Sequence, residues 1–512
     1  MPSSRRLLAG LALATSLISP PLLADARPLA VVAPWEVTGS DPSTSGYIFG
    51  RMGIAETLVE VDAEGRPAPG LASDWAVDEE GLSWRFVLRD GVLFHDGTPL
   101  TAEAVAASLR YAQAKPGMLS SAPIAAIEAD GDAVVITLEA PFAPLPALLT
   151  HSTTQILAPA AYAEDGRVEA MIATGPYRLT ELSPPQRLTA ERFADYWGAA
   201  PAIEAVSYLA VGRGETRALM AESGDADIVF TLDPASRGRL ARQERLALHA
   251  EPLPRTIVIK VNAGHPFLAD ETARRALSQA IDRRGIAAGL LRDPEAAAPE
   301  LFPASLGPWH LGLDGEAGGD PAAAQGLLDD LGWQANGQGV RERDGEPFRL
   351  TLTTFADRPE LPLVATALQD QWRELGIDLE VAVGNASGIP SGHRDGSLEL
   401  GLAARNYGLV PDPLGTLSDD FGGDAQAPGG DWGAMNWSDA EVTAWLDTLR
   451  HDADPATRAE LAGRVAERLN QAMPVIPVAW YQQTAAVNAE LEGFSIDPLE
   501  RSYRLEELTW TP

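Results

Sequence analysis

The segment Val364-Ala365-Thr366-Ala367-Leu368-Gln369-Asp370-Gln371-Trp372-Arg373-Glu374-Leu375-Gly376-Ile377-Asp378-Leu379-Glu380-Val381-Ala382-Val383 switches period in its middle. Val364, Leu368, Trp372 and Leu375 recur every three or four residues, which predicts an amphipathic helix. Gly376 supplies a helix stop. Ile377, Leu379, Val381 and Val383 then alternate, as a half-buried strand does. A helix, a glycine and a strand in direct succession predict an α/β unit in the second half of the chain.

The same two periods appear elsewhere. Trp84-Arg85-Phe86-Val87-Leu88 and Ala133-Val134-Val135-Ile136-Thr137-Leu138 read as strands, with Trp75, Trp84 and Phe86 expected in the core. Thr101 is the expected N-cap of a helix over 102–112, whose Val105 and Leu109 share a face. Ala273, Ala276, Leu277, Ala280 and Ile281 predict an amphipathic helix over 272–281. Strands interleaved with helices give the class α/β, or mixed α+β. Gly- and Pro-rich stretches at 303–321 and 422–433 are expected as surface loops or lid elements.

Composition narrows the function. Arg5 and Arg6 precede an apolar run from Leu7 to Leu23, and Ala24-Asp25-Ala26 follows as a small-x-small site. That order predicts a secretory signal peptide over 1–26, cleaved after Ala26. The chain has no cysteine, so disulfides, thiolate metal ligands and thiol nucleophiles are excluded. With 512 residues it is long enough for two or more domains, each with its own core. The net charge is −33, and loss of residues 1–26 barely changes it. Nucleic acid is therefore not an expected partner, because phosphate contacts need clustered Lys and Arg. The seven histidines show no HxH or HxxxH spacing, so no metal site built from side chains is expected.

A series of short motifs carries a resemblance. Pro69-Gly70-Leu71-Ala72-Ser73-Asp74-Trp75 precedes Trp84 to Ala102, which contains Arg89-Asp90-Gly91 and His95-Asp96-Gly97-Thr98-Pro99. Ala173-Thr174-Gly175-Pro176-Tyr177, Tyr196-Trp197-Gly198 and Gly224-Asp225-Ala226-Asp227-Ile228 follow in order. Arg274-Arg275-Ala276-Leu277, Leu331-Gly332-Trp333, Trp372 to Ile377 and Pro474-Val475-Ile476-Pro477 complete the set. The ordered series resembles the bacterial extracellular solute-binding proteins of the peptide/nickel (dipeptide/oligopeptide) ABC-transporter family. His95 within it is read as a structural turn residue.

The resemblance implies a two-lobed periplasmic binding protein fold with a hinge and an interlobe ligand cleft. Lobe I would comprise 27–255 and a return segment 479–512, and lobe II 256–478. Ligand binding would shift an open–closed equilibrium. The implied role is the periplasmic substrate-binding component of an ABC importer for small peptides, peptide-like molecules or metal-chelate complexes. Its partners would be that small ligand and an inner-membrane ABC permease, with the protein acting as a monomer and without a cofactor.

Ligand residues follow from the same resemblance. Tyr47 and Ile48 match a loop that contacts ligand in nickel-type members. Met118 and Ser121 stand where those members carry an arginine and a tryptophan, and Ser152 where they carry a second arginine. Arg405 and Tyr407 match a lobe II loop of peptide-binding members, but Leu409 occupies the place of the acid that clamps a peptide amine. His151, beside Ser152, is read as a surface or structural residue. Two other classes remain open: an exported hydrolase, and a sensor or chaperone that presents its ligand on the same lobes. The chain shows no G-x-S-x-G, H-E-x-x-H or P-loop, so no catalytic residue is expected.

Overall fold

The computed structural model describes residues 28–62, 65–115, 117–313, 319–356, 358–423, 430–452 and 454–511. The expected signal peptide and its cleavage site lie outside these residues. No helix among the described residues is long and apolar enough to cross a membrane.

A ten-stranded sheet runs through the molecule. In chain order its strands are β1 (Leu29–Ala33), β2 (Tyr177–Ser183), β3 (Arg187–Arg192), β4 (Ala205–Ala210) and β5 (Ile228–Phe230). They continue with β6 (Leu246–Val261), β7 (Arg349–Phe355), β8 (Asp378–Gly384), β9 (Leu400–Asn406) and β10 (Val475–Asn488). Their order in space is β8-β7-β9-β6-β10-β5-β1-β4-β3-β2. The central pair, β6 and β10, is antiparallel and long, and its register shifts between Pro252 and Thr256. On one side of that shift Leu246 pairs with Asn488, and on the other Lys260 pairs with Val475.

The apolar cores divide at the same place. Two clusters draw on Leu253 to Tyr481, among them Trp333, Trp372 and Phe302. Three others draw on residues 29–248 together with 485–508, among them Phe49, Phe86 and Tyr503. Each side therefore has its own hydrophobic interior, and β6 and β10 carry the chain between the two.

Local chemistry explains the elements. Helix α1 (Pro42–Arg51) starts on Asp41, whose carboxylate accepts from Ser43 N at 2.9 Å, with Pro42 at the first helical position. Helix α2 (Ala102–Gln113) is capped by Thr101, as expected. Helix α3 spans Glu271–Gln279 and not 272–281: Asp270 caps it, accepting from Thr272 N at 2.7 Å. Helix α4 (Glu360–Glu374) ends at Gly376, which has φ +79°. A Cβ there would meet Gly339 O at 2.8 Å, so a bare residue is needed twice over. Strand β8 follows at once and pairs in parallel with β7.

The Trp84 and Ala133 strands pair within a separate four-stranded sheet. Phe86 is fully buried there, whereas Trp75 and Trp84 are only half-buried. His95 is structural: its Nε2 lies 3.0 Å from Gly175 O, and its ring packs on Phe193. The stretch 303–321 departs from a plain surface loop, because Leu306 and Trp309 are inserted into the core beside Phe302. In 422–433, Gly433 is packed against Asp420, and its carbonyl accepts from the buried Lys260 Nζ.

Candidate ligand-binding site

A cavity of about 700 Å³ opens beside the β6–β10 crossing. Four segments on the side of the 29–248 and 485–508 cores form most of its wall: the exposed face of α1, residues 53–62, residues 150–155 and residues 497–507. Arg255, Asn406 and Leu409 close it from the other side.

Small residues let α1 and the 150–155 segment meet. Gly46 and Gly50 lie one turn apart on α1 and face the 152–155 segment. A Cβ on Gly46 would meet Ser152 O at 2.5 Å, and one on Gly50 would meet Gln155 Nε2 at 2.9 Å. Gln155 donates from Nε2 to Gly46 O at 2.9 Å, which fixes the orientation of its amide. Its Oε1 is buried without a partner.

The 497–507 loop is held by charge. Asp497 accepts from the backbone N of Leu499, Arg501 and Ser502 at 2.9–3.0 Å. Glu500 sits at φ +56°, a conformation that costs a non-glycine residue energy. Two guanidiniums hold it there. Arg51 donates from Nε to Glu500 O at 2.6 Å, and Arg255 from Nη2 to Glu500 Oε2 at 2.5 Å. Burial raises the Glu500 carboxyl, but Arg255, Arg51 and Arg358 outweigh it and hold the group below its usual range. Arg51 also lies 4.2 Å from the Trp35 ring centroid.

The opposite wall carries two acids with different fates. Glu60 accepts from Arg501 Nη2 at 2.8 Å and from Thr57 Oγ1 at 2.9 Å. Glu56 accepts from Tyr196 Oη at 3.0 Å and from Trp197 Nε1 at 3.1 Å. Burial, helped by the nearby Glu60, pushes the Glu56 carboxyl up to about 7.

The cavity contains two of the residues expected at the ligand. Tyr47 lines it from α1, with its hydroxyl donating to Glu36 O at 2.9 Å, and Ser152 lines it from the 150–155 wall. The other five lie elsewhere. Ile48, next to Tyr47, points the other way along the helix and is fully buried in the core. Met118 and Ser121 form a 3₁₀ turn outside the cavity wall, where Ser121 Oγ donates to Met118 O at 2.8 Å. Arg405 is committed to Asp420, in a two-pronged pair with both distances 2.7 Å. Tyr407 is 1 % exposed and packs edge-on against Phe302, with centroids 5.3 Å apart. The expectation that it reaches toward the cleft is corrected: two residues further on, Leu409 does so.

Sequence reading missed Arg51, Glu56, Gln155, Arg255, Glu500 and Arg501. Glu56, Arg51 and Gln155 carry no distinguishing spacing. The dense alternation of charge from Asp497 to Glu507 is the one signal that marked the last segment as unusual. Among the described residues no group of three or more His, Asp or Glu side chains is placed to hold a metal ion.

Two cores joined by crossing strands, with a polar cavity at the crossing, define a solute-binding component of an ABC importer. Residues 66–427 match the model of the bacterial extracellular solute-binding proteins, family 5, and the chain belongs to that family. It is 26 % identical over 491 residues to the nickel-binding periplasmic protein of Escherichia coli (strain K12), covering 91 % of each chain. It is 26 % identical to the glutathione-binding protein GsiB of the same strain, covering 86 % of each. Among solved structures it resembles NikA from Brucella suis in complex with Fe(III)-EDTA, with a TM-score of 0.84 and 25 % identity, over 94 % of this chain and 100 % of that one. The oligopeptide-binding protein AppA of Bacillus subtilis, solved with a nonapeptide, shares the two-lobed fold at a TM-score of 0.77 and 19 % identity, over 95 % of this chain and all of that one. These relatives are binding proteins.

Proposed function

We propose that this protein captures a small peptide, a peptide-like molecule or a metal chelate in the periplasm and delivers it to an inner-membrane ABC permease. The cavity at the β6–β10 crossing carries this reading. Its volume of about 700 Å³ falls in the range of small-molecule sites. Its wall comes mainly from one side, with Asn406 and Leu409 from the other and Arg255 at the boundary, as expected of a cleft whose closure completes the contacts. Tyr47 and Ser152 are the ligand contacts that this reading retains from the sequence.

The segregation of the cores supports lobe I over 27–255 with 479–512 and lobe II over 256–478, with Leu253, Ala479 and Tyr481 at the boundary packing into the lobe II core. Cleavage after Ala26 would release the protein as a soluble monomer. The reading involves binding without chemistry, and the acidic surface keeps nucleic acid out of it. Native mass spectrometry of protein purified from the periplasm tests the reading. A small molecule that co-purifies and is lost on unfolding is expected. Calorimetry with glutathione, Ni(L-His)2 and Fe(III)-EDTA then sorts the ligand class. A protein that carries no small molecule and binds none of these would overturn it.

A further inference from the structure

We propose that His151 is a hydrogen-bond donor to the ligand, not a metal ligand, and that with Arg501 it forms a subsite for a carboxylate. The proposal rests on the cavity being the ligand site.

His151 stands at the start of the 3₁₀ turn Ser152–Thr154 and lines the cavity. Its Nδ1 lies 3.2 Å from Thr153 N and 2.9 Å from Thr153 Oγ1. A peptide N–H can only donate, so Nδ1 must carry a lone pair. The Thr153 hydroxyl can donate to the same nitrogen and at the same time accept from Met118 N, which lies 3.4 Å away. The proton of the neutral ring is therefore on Nε2. Burial, with Arg501 nearby, holds the imidazole down to about 4, so the ring is neutral at physiological pH. Among the described residues Nε2 has no protein partner.

This tautomer decides what the ring can do. Metal coordination through Nε2 needs the lone pair there. The proton would then move to Nδ1 and face the Thr153 N–H, which removes the cap and sets two donors against each other. As the turn is built, the ring offers an N–H, and an oxygen of the ligand is its complement.

Arg501 supplies the charge. The loop clamped by Asp497 fixes its backbone, and Glu60 fixes one end of its guanidinium through Nη2. Nη1 has no partner. A neutral donor beside a cation with an unused N–H suits a carboxylate, because charge-assisted hydrogen bonds are the strong ones. The same cation repels a bare metal ion. Both a peptide and a chelator carry carboxylates, so the shared chemistry is the assignment.

Nuclear magnetic resonance of the full mature protein labelled with ¹⁵N-histidine reads the tautomer directly, with the His151 signals assigned through His151→Asn. The Nε2–H pattern is expected at pH 7, and the Nδ1–H pattern would overturn the proposal; should His151→Asn misfold, His151→Gln serves for the assignment. Asparagine keeps a capping oxygen but cannot reach as far as Nε2. The ligand-free variant is therefore expected to melt with the wild type. In calorimetry, glutathione or Fe(III)-EDTA should bind about tenfold or more weakly to His151→Asn and to Arg501→Gln, with Arg501→Lys recovering part of the loss. Which probe responds separates a peptide from a chelate. Binding of neither, unchanged binding in both variants, or loss of bare Ni²⁺ binding in His151→Asn would each overturn the subsite. A co-purified ligand without a carboxylate would sink this assignment alone, whereas a protein that binds nothing would sink the broader function.

Discussion

Glu56 holds its proton to a higher pH than a solvated carboxyl does, because burial, helped by the nearby Glu60, outweighs the hydrogen bonds from Tyr196 and Trp197 that favour the charged form. Its folded pKa of about 7 lies above the ordinary value of 4.5. Between those two pH values the native state binds more protons than the unfolded chain, so stability falls as pH rises. Glu56→Gln removes that dependence. The amide can accept from Trp197 and donate to the Tyr196 hydroxyl, which can rotate to accept. The variant should match the wild type near pH 4 and be more stable by about 1 kcal/mol near pH 8, a figure discounted for partial exposure. Urea unfolding at the two pH values measures it, and equal stability gaps at both would contradict the buried-acid account. Tyr407 gives the opposite kind of test. Because it packs among Phe302 and Trp309, Tyr407→Ala should destabilise the ligand-free protein by about 3–5 kcal/mol. A variant that melts normally but binds poorly would return Tyr407 to the cleft. The family resemblance could place Tyr407 near the site, but not on which side of its backbone the ring would fall. Ile48 failed for the same reason. One residue along a helix turns a side chain by about 100°, enough to exchange cavity for core.

At the level of elements, the sequence was most informative where a local rule acts alone. The helix–Gly376–strand unit was legible because an apolar period, a left-handed glycine and an alternating run follow one another without tertiary help. Thr101 was legible as a cap. Asp270 was not, because the apolar period of that helix shows its face and not its first turn. The cavity wall was the least legible part, since it is made by segments with no period, brought together by Asp497, Arg51 and Glu500. One sequence feature of that wall now has a reason. Gly46 is there so that α1 can approach the 152–155 backbone. Gly46→Ala should push that segment away by placing a Cβ on Ser152 O. A loss of about 1–3 kcal/mol in stability is expected, as for other overpacked sites. Ligand affinity should fall with it, because His151, Ser152 and Gln155 all ride on the displaced segment. Thermal unfolding and calorimetry on the same sample check both. A variant as stable as the wild type would mean that the two walls are not in contact.

Across the whole molecule, the two lobes are joined where β6 and β10 pass between them, and Arg255 occupies that crossing. It lies at the register shift of β6, yet its guanidinium holds Glu500 on the 497–507 loop that walls the cavity. Both side chains are less than 10 % exposed. The bond therefore ties the pivot to the ligand-binding wall. Arg255→Gln removes the nearest cation from a buried carboxylate whose pKa is held down mainly by that cation against burial. Breaking one side of such a pair costs about 3–5 kcal/mol. Glu500→Gln together with Arg255→Gln leaves no uncompensated charge on Glu500, so the double variant should lose less than the two single losses summed. The pH response follows from the sign of the shift. A depressed carboxylate stabilises the fold above its unfolded pKa, and that stability is lost as pH falls through its folded pKa. With Arg255 gone the depression shrinks, so Arg255→Gln should unfold at a higher pH on acid titration than the wild type. The freed pivot should also let the ligand-free lobes separate further, which small-angle scattering reads as a larger radius of gyration. Strictly additive losses in the double-variant cycle, with an unchanged radius, would show that the Arg255–Glu500 bond holds only the loop and not the hinge.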